Sequence, residues 1–168
     1  IKIANIPSPL DVGEGRILFS GGYNAGAMMI RLTRRADAIE PEILFRTDAK
    51  TFGADQHTPI YYEGLIYGII PGGKLACLTP EGQRLWVDEE NNFGLGPFMM
   101  VDEKLLVLDD DQKKPGGLSV FRVGSEGATK IATTSVLDGH EAWAPMAFAS
   151  GKLVLRDVTT MVCLDLNW

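Results

Sequence analysis

Two histidines are the side chains of this sequence best suited to chemistry. His57 follows Asp55 and Gln56 directly, and His140 is followed by Glu141. Imidazole nitrogens and carboxylate oxygens ligate many divalent metals, so two histidines and a carboxylate that converged would suit such an ion or a polar ligand. The simpler interpretation is polarity in exposed loops. We favour it, and predict no metal site, because nothing in the sequence sets the distance between the two histidines.

Motifs that would indicate a known catalytic or cofactor chemistry are absent from the sequence. It contains no Gly-x-Ser-x-Gly, no phosphate-binding loop and no dinucleotide fingerprint. Asp109, Asp110 and Asp111 are similar to part of a calcium loop, but the central glycine and terminal glutamate of such a loop are missing. We interpret the three aspartates as a solvated hairpin tip. The sequence therefore predicts no catalytic residue and no evident cofactor.

Composition argues against two kinds of partner. The chain has 168 residues, of which 45% are hydrophobic, and a net charge of −6. The hydrophobic share is typical of one globular domain with a core. The acidic groups are dispersed and no basic face is visible, so we expect no nucleic-acid partner. No run of about 18 apolar residues occurs, so we expect no membrane span.

A repeated pattern of strands must position these residues. Each copy opens with a proline and a short apolar strand, then continues through tight turns to further apolar strands. The opening residues Pro9, Pro59, Pro97 and Pro145 are 50, 38 and 48 residues apart. Because a four-stranded propeller blade takes about 40 to 50 residues, this spacing predicts an all-β fold, a β-propeller of about four four-stranded antiparallel blades. A β-sandwich is the competing all-β fold, but it does not require strands to recur in matched groups.

The ends of the repeat leave its closure open. We expect one propeller domain over residues 1–168, with approximate blades at 8–47, 58–88, 96–135 and 143–168. The fourth copy lacks an outer strand, while residues 1–6 form a short apolar strand without a blade. Three alternatives follow: this strand completes the last blade and closes a small ring, the chain is part of a larger ring, or two chains associate to complete one. An open arc would expose apolar blade faces.

The histidines occupy equivalent places in this scheme. His57 lies two residues before Pro59, and His140 lies five residues before Pro145. Both therefore belong to loops that enter the innermost strand of a blade, and in propellers such loops line one mouth of the central channel. The candidate ligand-binding residues at this mouth are Asp55, Gln56, His57, His140, Glu141 and Trp143.

The two cysteines occupy the same strand position in blades two apart. Equivalent positions in different blades lie far beyond the roughly 7 Å Cα separation that a disulfide allows. We therefore predict that Cys77 and Cys163 are unpaired and that both are small buried hydrophobic residues.

Residues 73–86, with the sequence Gly-Lys-Leu-Ala-Cys-Leu-Thr-Pro-Glu-Gly-Gln-Arg-Leu-Trp, resemble the repeat of the PQQ-like (quinoprotein alcohol dehydrogenase-like) propeller family. Residues 161–168 are similar but stop early. The resemblance implies that Trp86 packs between two blades. It also implies a ring of seven or eight blades, of which four would be about half, and a periplasmic or extracellular location.

The family includes quinoprotein dehydrogenases, assembly scaffolds and uncharacterised secreted propellers. The resemblance here implies a non-enzymatic binding or scaffold propeller of bacterial type, or a fragment of one, with an unknown protein or small-molecule ligand. A fragment of a quinoprotein dehydrogenase is the alternative, although the adjacent cysteines, stacked tryptophans and calcium carboxylates of a quinone site are not visible. A metal-dependent hydrolase that uses His57 and His140 is the third hypothesis.

Overall fold

The computed structural model describes residues 5–110, 116–139 and 141–166. Within these ranges every helix or strand assigned is a β-strand. The strands form four separate antiparallel sheets, and in each sheet neighbouring strands are consecutive in the chain. This repetition confirms the predicted β-propeller fold of about four blades.

The first two sheets, blades 1 and 2, have four strands each. Blade 1 consists of β1 (Leu10–Gly13), β2 (Arg16–Gly21), β3 (Gly26–Arg35) and β4 (Ala38–Thr47). Blade 2 consists of β5 (Ile60–Tyr62), β6 (Leu65–Ile70), β7 (Lys74–Leu78) and β8 (Arg84–Val87).

The last two sheets differ in strand number. Blade 3 consists of β9 (Phe98–Val101), β10 (Lys104–Leu108), β11 (Gly117–Gly124) and β12 (Gly127–Ser135). Blade 4 consists of β13 (Ala147–Ala149), β14 (Lys152–Arg156) and β15 (Met161–Asp165), and the described ranges hold no fourth strand for it. Asn5 and Ile6 are not in a strand, and residues 1–4 lie outside the described ranges, so a completing strand at residues 1–6 stays a prediction.

A two-residue turn joins the first and second strands of every blade. Both of its residues have positive φ in all four blades, and the pairs are Glu14 with Gly15, Glu63 with Gly64, Asp102 with Glu103, and Ser150 with Gly151. Positive φ at both central positions is characteristic of the type I′ turn, whose twist matches that of the strands it joins. Glycine adopts this conformation without steric cost, which explains why it takes the second position in three of the four turns.

Both faces of the inner blades are apolar. Alternate residues of a strand point to opposite faces of its sheet, so a strand whose consecutive residues are all apolar contributes to both faces. We name the face that meets the preceding blade the leading face, and the face that meets the following blade the trailing face. In β10, Leu105 and Val107 lie on the leading face, and Leu106 and Leu108 lie on the trailing face. All four side chains are fully buried. A single strand thus contributes to two cores.

Three buried clusters hold the blades together, one between each pair of consecutive blades. Representative members from the two sides are Met29 and Ile66, Leu75 and Leu105, and Leu106 and Leu153. None of these three clusters combines residues of blade 1 with residues of blade 4. The described blades are therefore joined as an open series.

Gly96, in the segment between blades 2 and 3, tests how closely that segment approaches blade 3. A Cβ atom at Gly96 would lie 1.7 Å from the backbone oxygen of Leu108, and the Leu108 N–H also donates to the Pro97 carbonyl at 2.9 Å. We expect Gly96→Ala to lower the free energy of unfolding by roughly 2 kcal/mol or more, because the overpacked backbone must shift.

Gly124→Ala is the matched control. An added Cβ at Gly124 meets no atom within 4 Å, and its φ is not positive. This variant should unfold within about 0.5 kcal/mol of the parent in urea. Equal stabilities for the two variants would contradict the close approach of the linker at Gly96.

Candidate functional site

The linkers between blades and the turns between second and third strands meet at the same end of the blades. We call this end the linker rim, and its linkers are residues 48–59, 88–97 and 136–146. In the second linker, the Phe93 N–H donates to the carbonyl of Gly73 in the turn of blade 2 at 2.8 Å. All of the predicted site residues within the described ranges lie on this rim, on two different linkers.

Asp55 is occupied in holding the first linker to blade 1. Its carboxylate oxygen Oδ1 accepts a hydrogen bond from the backbone N–H of Tyr23 at 2.9 Å. The neighbouring Gly22 is so close that an added Cβ would lie 2.8 Å from the Cα of Asp55. The carboxylate therefore completes the turn of blade 1.

His57 connects the first linker to the second. Its Nε2 is 3.0 Å from the carbonyl oxygen of Leu95, so the neutral ring carries its proton on Nε2 and donates it there. The ring also meets Phe98 edge to face, with centroids 6.2 Å apart. Burial lowers the pKa of His57, and the hydrogen bond to Leu95 offsets this only in part. The imidazole is thus neutral near pH 7.

Asp55, Gln56 and His57 line one small pocket together with residues of the second linker. The opposite wall consists of Gly94 and Leu95 with neighbouring backbone. Its volume of about 10 Å³ accommodates roughly one water molecule. The structure therefore brings these three predicted residues together, but around a space too small for an organic ligand.

Glu141 and Trp143 lie on the third linker, and neither lines that pocket. Glu141 is exposed and has a positive φ of 59°, and the Trp143 side chain is 40% exposed. The indole Nε1–H of Trp143 donates to the carboxylate of Asp110. His140 lies outside the described ranges, so its place at the channel mouth stays a prediction.

Two aspartates that sequence reasoning did not assign to the rim anchor this third linker. Asp110, expected at a solvated hairpin tip, accepts the Ala142 N–H at 2.8 Å as well as the indole of Trp143. Asp157 is buried and accepts the Gly139 N–H at 3.0 Å. Burial raises the pKa of Asp157, but the N–H donors of Thr159, Thr160 and Gly139 outweigh it and leave the pKa lowered. The sequence signal that could have identified both aspartates is a carboxylate shortly after the second strand of a blade.

Two further observations concern metals and membranes. Within residues 5–110, 116–139 and 141–166, no three His, Cys, Asp or Glu side chains are grouped so that they could hold a metal ion. In the same part of the chain, no helix is long and apolar enough to cross a membrane.

A larger groove lies between the outer strands of blades 2 and 3 and was not foreseen from the sequence. It has a volume of about 480 Å³, and Trp86 and Phe121 form part of its wall. Lys130 lies over the ring of Phe121, 5.6 Å from its centroid, and its amine contacts the side chain of Asn91. Trp86 donates its indole N–H to the Gly124 carbonyl of blade 3 at 2.8 Å. Trp86 therefore bridges blades 2 and 3.

Comparison with known proteins supports the fold. No protein-family model matches the sequence, and a comparison with curated proteins finds no match. Among solved structures, the chain is similar to BamB from Moraxella catarrhalis, with a TM-score of 0.56 and 10% identity, over 96% of this chain. It is also similar to the computationally designed Ika4 protein, with a TM-score of 0.59 and 11% identity, over 92% of this chain. Both neighbours fit a β-propeller.

The matches differ in how much of the other chain they cover. The aligned region spans 58% of BamB but 88% of the Ika4 chain. A chain from a solved complex of S. cerevisiae Dbp5 with Nup159, Gle1, IP6 and ADP also matches, with a TM-score of 0.56, 13% identity and coverage of 91% of this chain and 39% of that chain. At these identities the likeness establishes the fold alone.

The neutral state of His57 predicts a pH dependence of stability. In the unfolded chain the histidine titrates near pH 6.5, and in the folded chain its pKa is lower. As the pH falls through about 6.5, the unfolded state takes up the proton first, so this contribution to stability is present above about pH 6.5 and lost below it.

We expect His57→Gln to flatten the decline in unfolding free energy between about pH 7.5 and 5. Glutamine keeps an N–H donor for Leu95 but does not titrate. Chemical denaturation across this range measures both proteins, and His140 is present in each. Identical pH profiles would show that His57 is not held in its neutral form.

Proposed function

We propose that this chain is a non-enzymatic scaffold propeller of the PQQ-like type, which works through protein–protein contact at the two ends of its series of blades. The observation that carries the proposal is the group of exposed or half-buried apolar side chains on each end face, the leading face of blade 1 and the trailing face of blade 4. Large contiguous apolar surfaces of soluble proteins are commonly interaction sites.

The leading face of blade 1 repeats a pattern that is buried elsewhere. Ile17 and Phe19 of β2 pair with Ile30 and Met28 of β3 on this face, and Ile43 of β4 extends the row. Ile43 is 52% exposed, and the other four are only partly buried. The positions that correspond to Ile17 and Phe19 in blade 3 are Leu105 and Val107, which are fully buried against blade 2.

The trailing face of blade 4 has an apolar centre with charged side chains on either side: Val154, Cys163 and Met161 lie between Arg156 and the Lys152–Asp165 ion pair. Val154 pairs with Cys163, and Arg156 pairs with Met161. Met161 is 65% exposed, whereas Leu75 at the same position of blade 2 is fully buried. Cys163 is exposed and Cys77 is buried, although both stand opposite the same position of the second strand. The prediction that both thiols are buried is therefore wrong for Cys163, because no described blade covers it.

The assignment to the PQQ-like type rests on the repeat motif and on Trp86. The tryptophan that ends the motif lies between blades 2 and 3, as the resemblance implies. The likeness to BamB agrees with this proposal. A periplasmic or extracellular location belongs to the same proposal and rests on the resemblance.

For a small ligand we propose the linker rim. Asp55, Gln56 and His57 line one pocket there, and the exposed Trp143 offers an aromatic surface on another linker. Because the pocket holds about one water, a ligand would bind across the surface of the rim and include Glu141 and His140.

The end faces should bind a hydrophobic dye. We expect 8-anilinonaphthalene-1-sulfonate to fluoresce with the dilute protein, and much less with the double variant Phe19→Lys/Met161→Glu, which places a charge on each end face. The thermal midpoint of the variant checks that it folds. Equal fluorescence of parent and folded variant would remove the apolar end faces as docking surfaces, and the scaffold proposal with them.

Pyrroloquinoline quinone separates the scaffold from the quinoprotein alternative. A ligand that binds only the folded state raises stability, by about 2.7 kcal/mol at a hundred times its dissociation constant. For a scaffold we expect no change in thermal midpoint when the quinone and Ca²⁺ are added together. A saturable rise that requires both would support the quinoprotein alternative instead.

A further inference from the structure

We propose that a second copy of this chain covers both end faces, with the trailing face of blade 4 in each copy docked on the leading face of blade 1 in the other. The two copies together would form a ring of eight blades. This inference rests on the proposed scaffold function and names the partner of its end faces.

The interfaces inside the chain all have the same form. At every internal boundary a trailing face meets a leading face, and the buried clusters lie between them. Within the described residues, no blade covers the leading face of blade 1 or the trailing face of blade 4. These are the two halves of the same kind of interface, so a single chain carries both surfaces that the contact requires.

Residues at equivalent positions of the second strands match on the leading faces of blades 1 and 4. On leading faces, Ile17 and Phe19 of β2 stand where Leu153 and Leu155 stand in β14, and the latter two are fully buried. Blade 1 thus carries on its free face the kind of side chain that blade 4 buries against blade 3.

The third strands agree on the trailing side. Cys163 stands where Met29 stands in blade 1 and Cys77 in blade 2, opposite the same position of the second strand. Met29 and Cys77 are both fully buried. Covering blade 4 in the same way would bury Cys163, and Met161 beside it.

Two copies would also close the ring. Propellers have about four to eight blades, so two copies with four blades each complete a ring of permitted size. A trailing-to-leading contact generates either a closed ring or an open filament, and closure after two copies satisfies both end faces of both chains.

Particle mass and thiol reactivity test the proposal together. Sedimentation equilibrium should give twice the 18.3 kDa of one chain, with dissociation on dilution. Alkylation of Cys163 under native conditions should slow as protein concentration rises, in proportion to the fraction that remains dissociated. Cys77 is the internal control: it is buried, and burial raises its pKa to about 11, so it should stay unreactive at every concentration.

Two single variants test which faces meet. Phe19→Lys changes only the leading face of blade 1, and Met161→Glu changes only the trailing face of blade 4. Each variant alone should lose the dimer, because every chain uses both faces. An equimolar mixture should regain dimers, since the Phe19→Lys chain keeps a native trailing face and the Met161→Glu chain keeps a native leading face. If Phe19→Lys fails to fold, Ile43→Lys replaces it, as Ile43 is 52% exposed.

The outcomes separate this inference from the proposed function. A monomer at all concentrations, with Cys163 reactive and dye binding retained, overturns the second copy and leaves the end faces for another protein or for further blades. A monomer with Cys163 protected and no dye binding overturns both proposals. A dimer that survives Met161→Glu unchanged, or growth into filaments, overturns the closed trailing-to-leading pair.

Discussion

The alternation of apolar side chains onto both faces of every sheet is the constraint on which this molecule depends. A small sheet of this kind cannot bury both faces by itself, so each blade is stabilised by packing against its neighbours. The need to stack blades closely also constrains single residues. Gly68 in β6 has no side chain, and a Cβ there would lie 2.8 Å from the ring of Phe52 in the linker that follows blade 1. Close stacking of blades thus determines which positions must remain small.

A second set of interactions fixes the linkers after the blades have stacked. Carboxylates on the rim accept part-buried backbone N–H groups of the third linker, as Asp110 does for Ala142 and Asp157 for Gly139. Buried or half-buried N–H groups need such acceptors. The polarity of the rim is therefore largely structural, which explains why residues selected for their chemistry, such as His57, are hydrogen-bonded to backbone of the neighbouring linker.

The fold could be predicted from the sequence because its signals are local. Short apolar runs, tight turns and recurring prolines each involve a few neighbouring residues, and they identified the strands around Leu65 and Lys104. The site could be predicted only in part. The bond of His57 to Leu95 depends on the angle between two linkers, and that angle comes from packing. The exposure of Cys163 depends on whether a blade follows, which no property of its own strand reveals.

The separation of the core into three clusters, each shared by two consecutive blades, has a consequence for how such a chain can change over evolutionary time. Its stability is close to a sum of terms for single blades and for their boundaries. A gene duplication or deletion that adds or removes one whole blade alters only the boundaries next to it and leaves the others intact, because each boundary involves two consecutive blades alone. Selection can therefore alter the number of repeats in one step, whereas a change of a fraction of a blade would break two cores at once.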